Sequence, residues 1–314
     1  MKRNFGTNAS KFNMKVNITG SSGFVGQNLI NYLIGYEVDV LQRYQLSNPS
    51  VEQLSSCDAI IHLAGKAHDL KKTSNPEEYY EVNFELTKRI FDAFLKSDAK
   101  KFIFISSVKA AADSLQGVLD EAHQPNPQTD YGKSKLMAEE YIQAQELPEG
   151  KAYYILRPCM IHGPGNKGNL NLLYKIVQKG IPYPLAAYEN KRSFLSVENL
   201  CFVIKQLVGR EIISGVYNVA DDEALSTNAV VQILAASSNR KAKLWSIPSG
   251  IINKIAKIGN VLKLPLNTER LQKLTESYVV SNAKIKKALG VELPISATNG
   301  LKITAKSFNT SSFD

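Results

Sequence analysis

The sequence predicts an α/β fold: a doubly wound parallel sheet with a smaller, mostly helical carboxyl-terminal domain. Three observations carry that expectation. Apolar runs of strand length alternate with helical patterns through the first half of the chain. Three glycines at three-residue spacing, Gly20, Gly23 and Gly26, join the first run to the first helix. The alternation then stops at a breaker-rich loop, Gly163-Pro164-Gly165-Asn166-Lys167-Gly168.

Strands are expected at 15–19, 37–41, 59–63, 101–106 and 153–156, with helices at 26–34, 79–97 and 131–146 between them. Strands that alternate with helices pair in parallel, because each crossover returns the chain to the same end of the sheet. Past Arg157-Pro158, a helix at 169–179, a helix at 197–208 and a strand at 215–220 are expected, and the remainder reads as helices and loops. Ligands of such sheets sit beyond the carboxyl ends of the strands, so the residues after each run are where chemistry is sought.

The first such place is Val16-Asn17-Ile18-Thr19-Gly20-Ser21-Ser22-Gly23-Phe24-Val25-Gly26. A strand running through glycines into a helix lets a dinucleotide pyrophosphate lie against bare backbone, where free N–H groups and the helix dipole favour negative charge. On this reading residues 14–165 with about 193–220 form a Rossmann dinucleotide-binding domain, and 166–192 with 221–314 form a substrate domain. The polar, aperiodic stretch 1–13 is expected to be a disordered leader.

With 314 residues, 44% hydrophobic and 21% charged, the chain is of ordinary globular composition. It has no apolar run of about 18 residues and no signal-peptide pattern, so a cytoplasmic location without membrane insertion is expected. Cys57, Cys159 and Cys201, like His62, His68, His123 and His162, lack metal-ligand or disulfide spacing, and no metal is expected. The net charge of +9 is uneven: between Arg240 and Lys306, 13 Lys and Arg face only Glu269, Glu276 and Glu292. Such a field suits a diphosphate substrate, nucleic acid or an anionic membrane, and the absence of aromatic-basic alternation argues against nucleic acid. The stretch 251–263 carries apolar residues on one helical face and lysines on the other. A buried face is expected there, with a membrane surface as the alternative.

Two further strand ends supply reactive groups. Phe102-Ile103-Phe104-Ile105 leads into Ser106-Ser107, and Tyr131-Gly132-Lys133-Ser134-Lys135 follows some two dozen residues later. Tyr131 and Lys135, four apart, share a helix face. The lysine ammonium is expected to favour the phenolate and lower the tyrosine pKa, so that tyrosine exchanges a proton with a hydroxyl while nicotinamide exchanges hydride with its carbon. Ser107 would hold the substrate oxygen.

Together with Ile61-His62-Leu63-Ala64-Gly65, Val82-Asn83 and Leu156-Arg157-Pro158, these motifs resemble the extended short-chain dehydrogenase/reductase family, the NAD(P)-dependent epimerases and dehydratases of nucleotide sugars. The resemblance spans roughly residues 14–289. It implies Tyr131 as catalytic acid/base, Lys135 as its partner and a ribose ligand, and Ser107 on the sugar hydroxyl. It implies cofactor contacts at Gly20, Ser22, Gly23, Phe24, Val25, Gly26, Arg43, Leu63, Ala64, Gly65, Asn83, Tyr131, Lys135 and Pro158. Substrate contacts fall on Lys109, Asn169, Arg192 and Arg270, the two arginines because guanidinium makes bidentate bonds to phosphate. A homodimer built on helices 79–97 and 131–146 is expected by the same likeness.

The chain also departs from the family pattern. After the second strand it carries Gln42-Arg43 in place of an acidic ribose ligand, which leaves NAD and NADP both open. Val108-Lys109 replaces the acidic pair of the dehydratases, so 4,6-dehydration is not expected. The stretches 163–170, 179–185 and 190–193 resemble a bacterial surface-polysaccharide branch of the family that handles UDP-linked N-acetylated 6-deoxy sugars, which implies one of two activities at carbon 4: reduction of a UDP-4-keto-6-deoxy-N-acetylhexosamine, or 4-epimerisation of UDP-glucose or UDP-N-acetylglucosamine with tightly held NAD. Arg192-Ser193-Phe194, where epimerases for UDP-galactose carry Arg-Asp-Tyr, tilts the balance to reduction. A non-catalytic cofactor sensor would be expected to have lost Tyr131 or Lys135.

Overall fold

The structure, a computed structural model, describes residues 14–42, 51, 54, 56–67, 75–166, 168–262 and 266–310. Six strands form one parallel sheet: β1 (Lys15–Thr19), β2 (Glu37–Leu41), β3 (Ala59–His62), β4 (Lys101–Ile105), β6 (Ala152–Pro158) and β9 (Gly215–Val219), in the order β2-β1-β3-β4-β6-β9. The central runs are buried along their length, the pattern of a sheet covered on both faces. From β2 the chain crosses β1 to reach β3, so the winding reverses between β1 and β3 and opens a crevice at their carboxyl ends. Arg157 and Pro158 lie inside β6, which is longer than the expected 153–156.

One face packs α1 (Phe24–Tyr32) and α6 (Val197–Gly209) through Leu29, Leu200, Ile204 and Leu207. The other packs α3 (Leu86–Lys96) and α4 (Asp130–Gln143) through Phe91, Phe94, Phe102, Phe104 and Ile142. The segment expected as one helix at 79–97 starts earlier, as α2 (Pro76–Tyr79), because Asn75 caps it by accepting from Glu77 N at 3.3 Å and Pro76 suits the first turn. A π-helical turn, Tyr80–Glu85, then joins α2 to α3.

Two glycines of the first turn explain its spacing. Gly20 has φ +71°, and a Cβ there would lie 2.5 Å from Ala64 N, so β1 and the end of β3 meet only across glycine. A Cβ on Gly26 would lie 2.5 Å from Gly20 O, which is how closely α1 seats on the turn.

Two smaller cores lie beyond the sheet. Leu170, Tyr174 and Val177 of α5 (Asn169–Gln178) meet Val230, Val231 and Leu234 of α7 (Thr227–Ala236) and Leu301 and Ala305 of the last helix. Ile252 and Ala256 of α8 (Ser249–Leu262) meet Leu185 and Leu271, the latter on α9 (Thr268–Thr275). The pairing of β5 (Val118–Leu119) with β10 (Val279–Val280) ties this part of the chain to the segment after β4.

Candidate active site

Ser107 follows β4 in extended backbone, and its hydroxyl accepts from Lys109 N at 3.2 Å. Tyr131 stands in the first turn of α4. Thr129 caps that helix, and Asp113 holds the approach by accepting from Gln128 N at 2.7 Å and Thr129 N at 3.1 Å. A Cβ on Gly132 would lie 2.4 Å from Lys109 O, so only glycine allows the start of α4 to press against the Ser107 segment. That contact brings the Ser107 and Tyr131 side chains into hydrogen bonding. Gly132 was legible only as part of a motif; its close approach is what assembles the pair.

Lys135, one turn on, is buried, donates to Ile105 O at 2.9 Å and lies 4.7 Å from the Phe104 ring centroid. Burial pulls its pKa down to about 8, against the opposing pull of Glu139. Glu139 was missed by sequence reasoning, although its position four residues after Lys135 on the inward helix face was a usable signal. It accepts from Arg157 Nε at 3.0 Å, and from the Ser106 hydroxyl, inside a fully buried ion pair. Ser106 thus serves the scaffold and Ser107 the cleft.

Tyr131 departs from the expected lowering. Burial pushes its pKa above 10, and the Ser107 hydrogen bond opposes the rise. The phenol is therefore a protonated donor at neutral pH.

At the crevice between β1 and β3 runs a groove of about 780 Å³, lined by Gly20, Ser22, Gly23, Leu63, Ala64 and Gly65, with Gln42 and Arg89 among its other walls. The groove fits a dinucleotide: a Cβ on Gly20 would collide with its floor, and one on Gly65 would stand 3.1 Å from Lys135 Nζ, so the glycine-lined channel leads to Lys135. Arg89 was not foreseen.

Asn83 is fully buried directly behind Gly65 of the groove, accepting from Lys66 N at 2.8 Å and donating to Ser134 Oγ at 3.1 Å, so it positions the loop after β3 against α4. Phe24 and Val25 pack into the core, and Pro158 is buried at the end of β6. Arg43 lies outside the described residues.

His62 sits beneath the same loop, its Nδ1 2.7 Å from Thr19 Oγ1 and its Nε2 2.9 Å from Thr87 Oγ1. Thr87 donates its own proton to Asn83 O at 2.7 Å, so His62 Nε2 is the donor and Nδ1 the acceptor. Burial lowers its pKa to about 3 and keeps it neutral.

On the far side, the structure gathers two of the four expected substrate contacts. Lys109 donates to Asp113 O at 2.6 Å and lies 4.7 Å from the Tyr278 ring centroid, its pKa lowered by burial. Arg192 donates from Nε to Glu276 O at 3.2 Å and from a terminal nitrogen to Lys273 O, with the Glu276 carboxylate 3.9 Å away. Arg192 and Lys109 interact electrostatically. Arg270 lies on exposed α9, one turn before Lys273, and Asn169 opens α5 as expected.

Residues 16–220 match the NAD dependent epimerase/dehydratase family. A UDP-glucose 4-epimerase of Vibrio cholerae is 29% identical over 96% of this chain and 98% of its own length. An N-acetyl-alpha-D-glucosaminyl-diphospho-ditrans,octacis-undecaprenol 4-epimerase of Escherichia coli is 29% identical over 88% of this chain and 85% of its own. A UDP-2-acetamido-2,6-beta-L-arabino-hexul-4-ose reductase of Pseudomonas aeruginosa is 32% identical over 50% of this chain and 38% of its own. The fold is also that of a UDP-N-acetylglucosamine 4-epimerase from Bacillus cereus, with TM-score 0.71 and 20% identity over 95% of this chain and 96% of the other. With a parallel six-stranded sheet, a glycine-lined groove and the Ser107-Tyr131-Lys135 cluster at its end, the chain belongs to the NAD-dependent epimerase/dehydratase family of nucleotide-sugar enzymes.

Proposed function

We propose that the protein reduces the 4-keto group of a UDP-4-keto-6-deoxy-N-acetylhexosamine with NADPH, in surface-polysaccharide synthesis. Two observations support this reading: Tyr131 beside Ser107, with Lys135 one turn on at the end of the glycine-lined groove, suits hydride exchange at carbon 4, and Arg192-Ser193-Phe194 favours reduction over epimerisation. Tyr131 protonates the oxygen at carbon 4, Ser107 holds that oxygen by hydrogen bond, and Lys135 holds the ribose and stabilises the phenolate left behind. The bound nicotinamide supplies the hydride to the same carbon. Tyr131 then regains its proton from solvent, and the alcohol leaves.

NADPH is favoured by the groove's adenosine end. Asp39 of β2 is engaged by Lys15 at 3.0 Å, and Gln42 and Arg89 line the wall. An arginine there suits a 2′-phosphate. Residues 14–165 with 193–220 would hold the cofactor, and 166–192 with 221–314 the sugar nucleotide, with Lys109 and Arg192 on its diphosphate.

The likeness to the Vibrio cholerae 4-epimerase over nearly the whole chain supports a second reading, reversible epimerisation at carbon 4 with retained NAD. Incubating purified protein with the keto sugar, UDP-glucose and UDP-N-acetylglucosamine separates the two. Stoichiometric loss of NADPH absorbance with the keto sugar is expected. Interconversion of the alcohols without net cofactor change would establish the epimerase instead.

A further inference from the structure

The stripe at 251–263, expected to be buried, is in fact divided. α8 buries Ile252, Ala256 and Gly259, whereas Ile251, Ile255 and Ile258 are 51%, 43% and 54% exposed and Val261 is 81% exposed. Ile251, Ile255, Ile258 and Leu262 recur every three or four residues and so share one outward face. The helix is locked in that rotation. A Cβ on Gly259 would lie 1.9 Å from Leu266 O, Tyr188 donates to Asn253 Oδ1 at 3.2 Å, and Asn260 Oδ1 accepts from Thr268 N at 3.0 Å. The apolar face is therefore presented to solvent by a built contact. Just before α8, Trp245, the one tryptophan of the chain, is 57% exposed although its backbone is fixed to Tyr183 O at 2.9 Å.

We propose that this face docks on an anionic lipid bilayer, with α8 lying in the plane of the headgroups and Trp245 at the interface. Charge selects that occupant. From Arg240 to Leu262 the chain carries Arg240, Lys241, Lys243, Lys254 and Lys257, all exposed, and no carboxylate. Two copies packed face to face would set cations against cations. An acidic peptide would satisfy the lysines but leave the isoleucine row uncovered. A bilayer rich in anionic lipid covers the apolar row with acyl chain and meets the lysines with headgroup phosphate. Among the described residues no helix is long and apolar enough to cross a membrane, so the contact is peripheral. α8 packs on α9, whose Lys273 carbonyl is held by Arg192, so a docked helix would carry the Arg192 wall with it.

The test is co-sedimentation of the full chain with vesicles of phosphatidylcholine alone and of phosphatidylcholine mixed with phosphatidylglycerol, while Trp245 emission is recorded. Binding to the anionic vesicles alone, weakened by salt and accompanied by a blue shift, is expected. Ile255→Glu with Ile258→Glu should lower the partition at least about tenfold while leaving the thermal midpoint and turnover in vesicle-free buffer unchanged. Each of Lys254→Gln and Lys257→Gln should weaken it about fivefold. Wild-type protein that stays in the supernatant would overturn the proposal, as would equal binding of the double isoleucine variant. So would a wild-type dimer, insensitive to vesicles, that the double variant converts to monomer.

Discussion

The cofactor side and the substrate side of the cleft are held in place by different means. Around the groove, position comes from backbone that admits no Cβ, at Gly20, Gly26 and Gly132, and from networks sealed in the core, such as Glu139 with Arg157 and His62 with its threonines. Around Lys109 and Arg192, position comes from long side chains that reach carbonyl oxygens, in the case of Arg192 84 residues away in sequence. The first kind of construction is rigid and hard to alter without loss of fold. The second can be retuned by loop changes, so one hydride-transfer apparatus can serve different sugars.

Four measurements would break or sharpen that contrast. Tyr131→Phe should lower kcat by about 10²–10⁴-fold while cofactor affinity is kept, because it removes only the proton donor; turnover near that of the native enzyme would place the acid elsewhere. Glu139→Gln should cost about 3–5 kcal/mol in urea unfolding, since Arg157 is left as a buried, uncompensated charge. A loss below about 1 kcal/mol would mean that this side is softer than its packing implies.

Acid should weaken the cofactor side next. Native His62 stays neutral down to about pH 3, whereas the unfolded chain protonates it near the ordinary histidine value of about 6.5. The unfolded state therefore binds more protons in that window, and stability falls as pH falls. Between about pH 8 and 5 this single group should remove about 2 kcal/mol. His62→Gln should flatten that part of the profile, and an unchanged slope would assign the loss to other groups. Arg192→Ala should have the smallest effect, raising KM for the UDP-sugar about tenfold, or ~1.4 kcal/mol, with kcat nearly unchanged. A fall in kcat of the same size would move Arg192 from substrate holding to the chemistry itself.

The same contrast decides what could be read from sequence. The strands, the glycine turn and the Tyr131-Lys135 spacing are local patterns, and the structure carries each within a few residues of where it was expected. Contacts between distant segments were not legible. A helix with a broad apolar stripe, like α8, does not say which half of it is buried; Gly259 and the two asparagines decide that, through partners elsewhere in the chain. The raised Tyr131 pKa was likewise hidden, because it comes from burial among segments distant in sequence, Tyr79 and Ser107 among them. Asn83 reads as a groove residue by motif, and only the structure shows that the π-helical turn sets it, fully buried, against Gly65 and the loop after β3.

The hydrogen bonds through His62 run in one direction: Ala64 N–H to Thr19, Thr19 to Nδ1, Nε2–H to Thr87, Thr87 to Asn83 O. Reversing the sequence would turn the Thr87 proton to Nε2 and take it from Asn83 O, so the network holds this histidine in one tautomer and it serves as a spacer of fixed polarity. Its evolutionary consequence is linkage. Substitution of Thr19, His62 or Thr87 one at a time strands a buried donor or acceptor, while a concerted exchange for apolar side chains of equal volume strands far fewer. Among homologues the three positions should therefore change together or not at all.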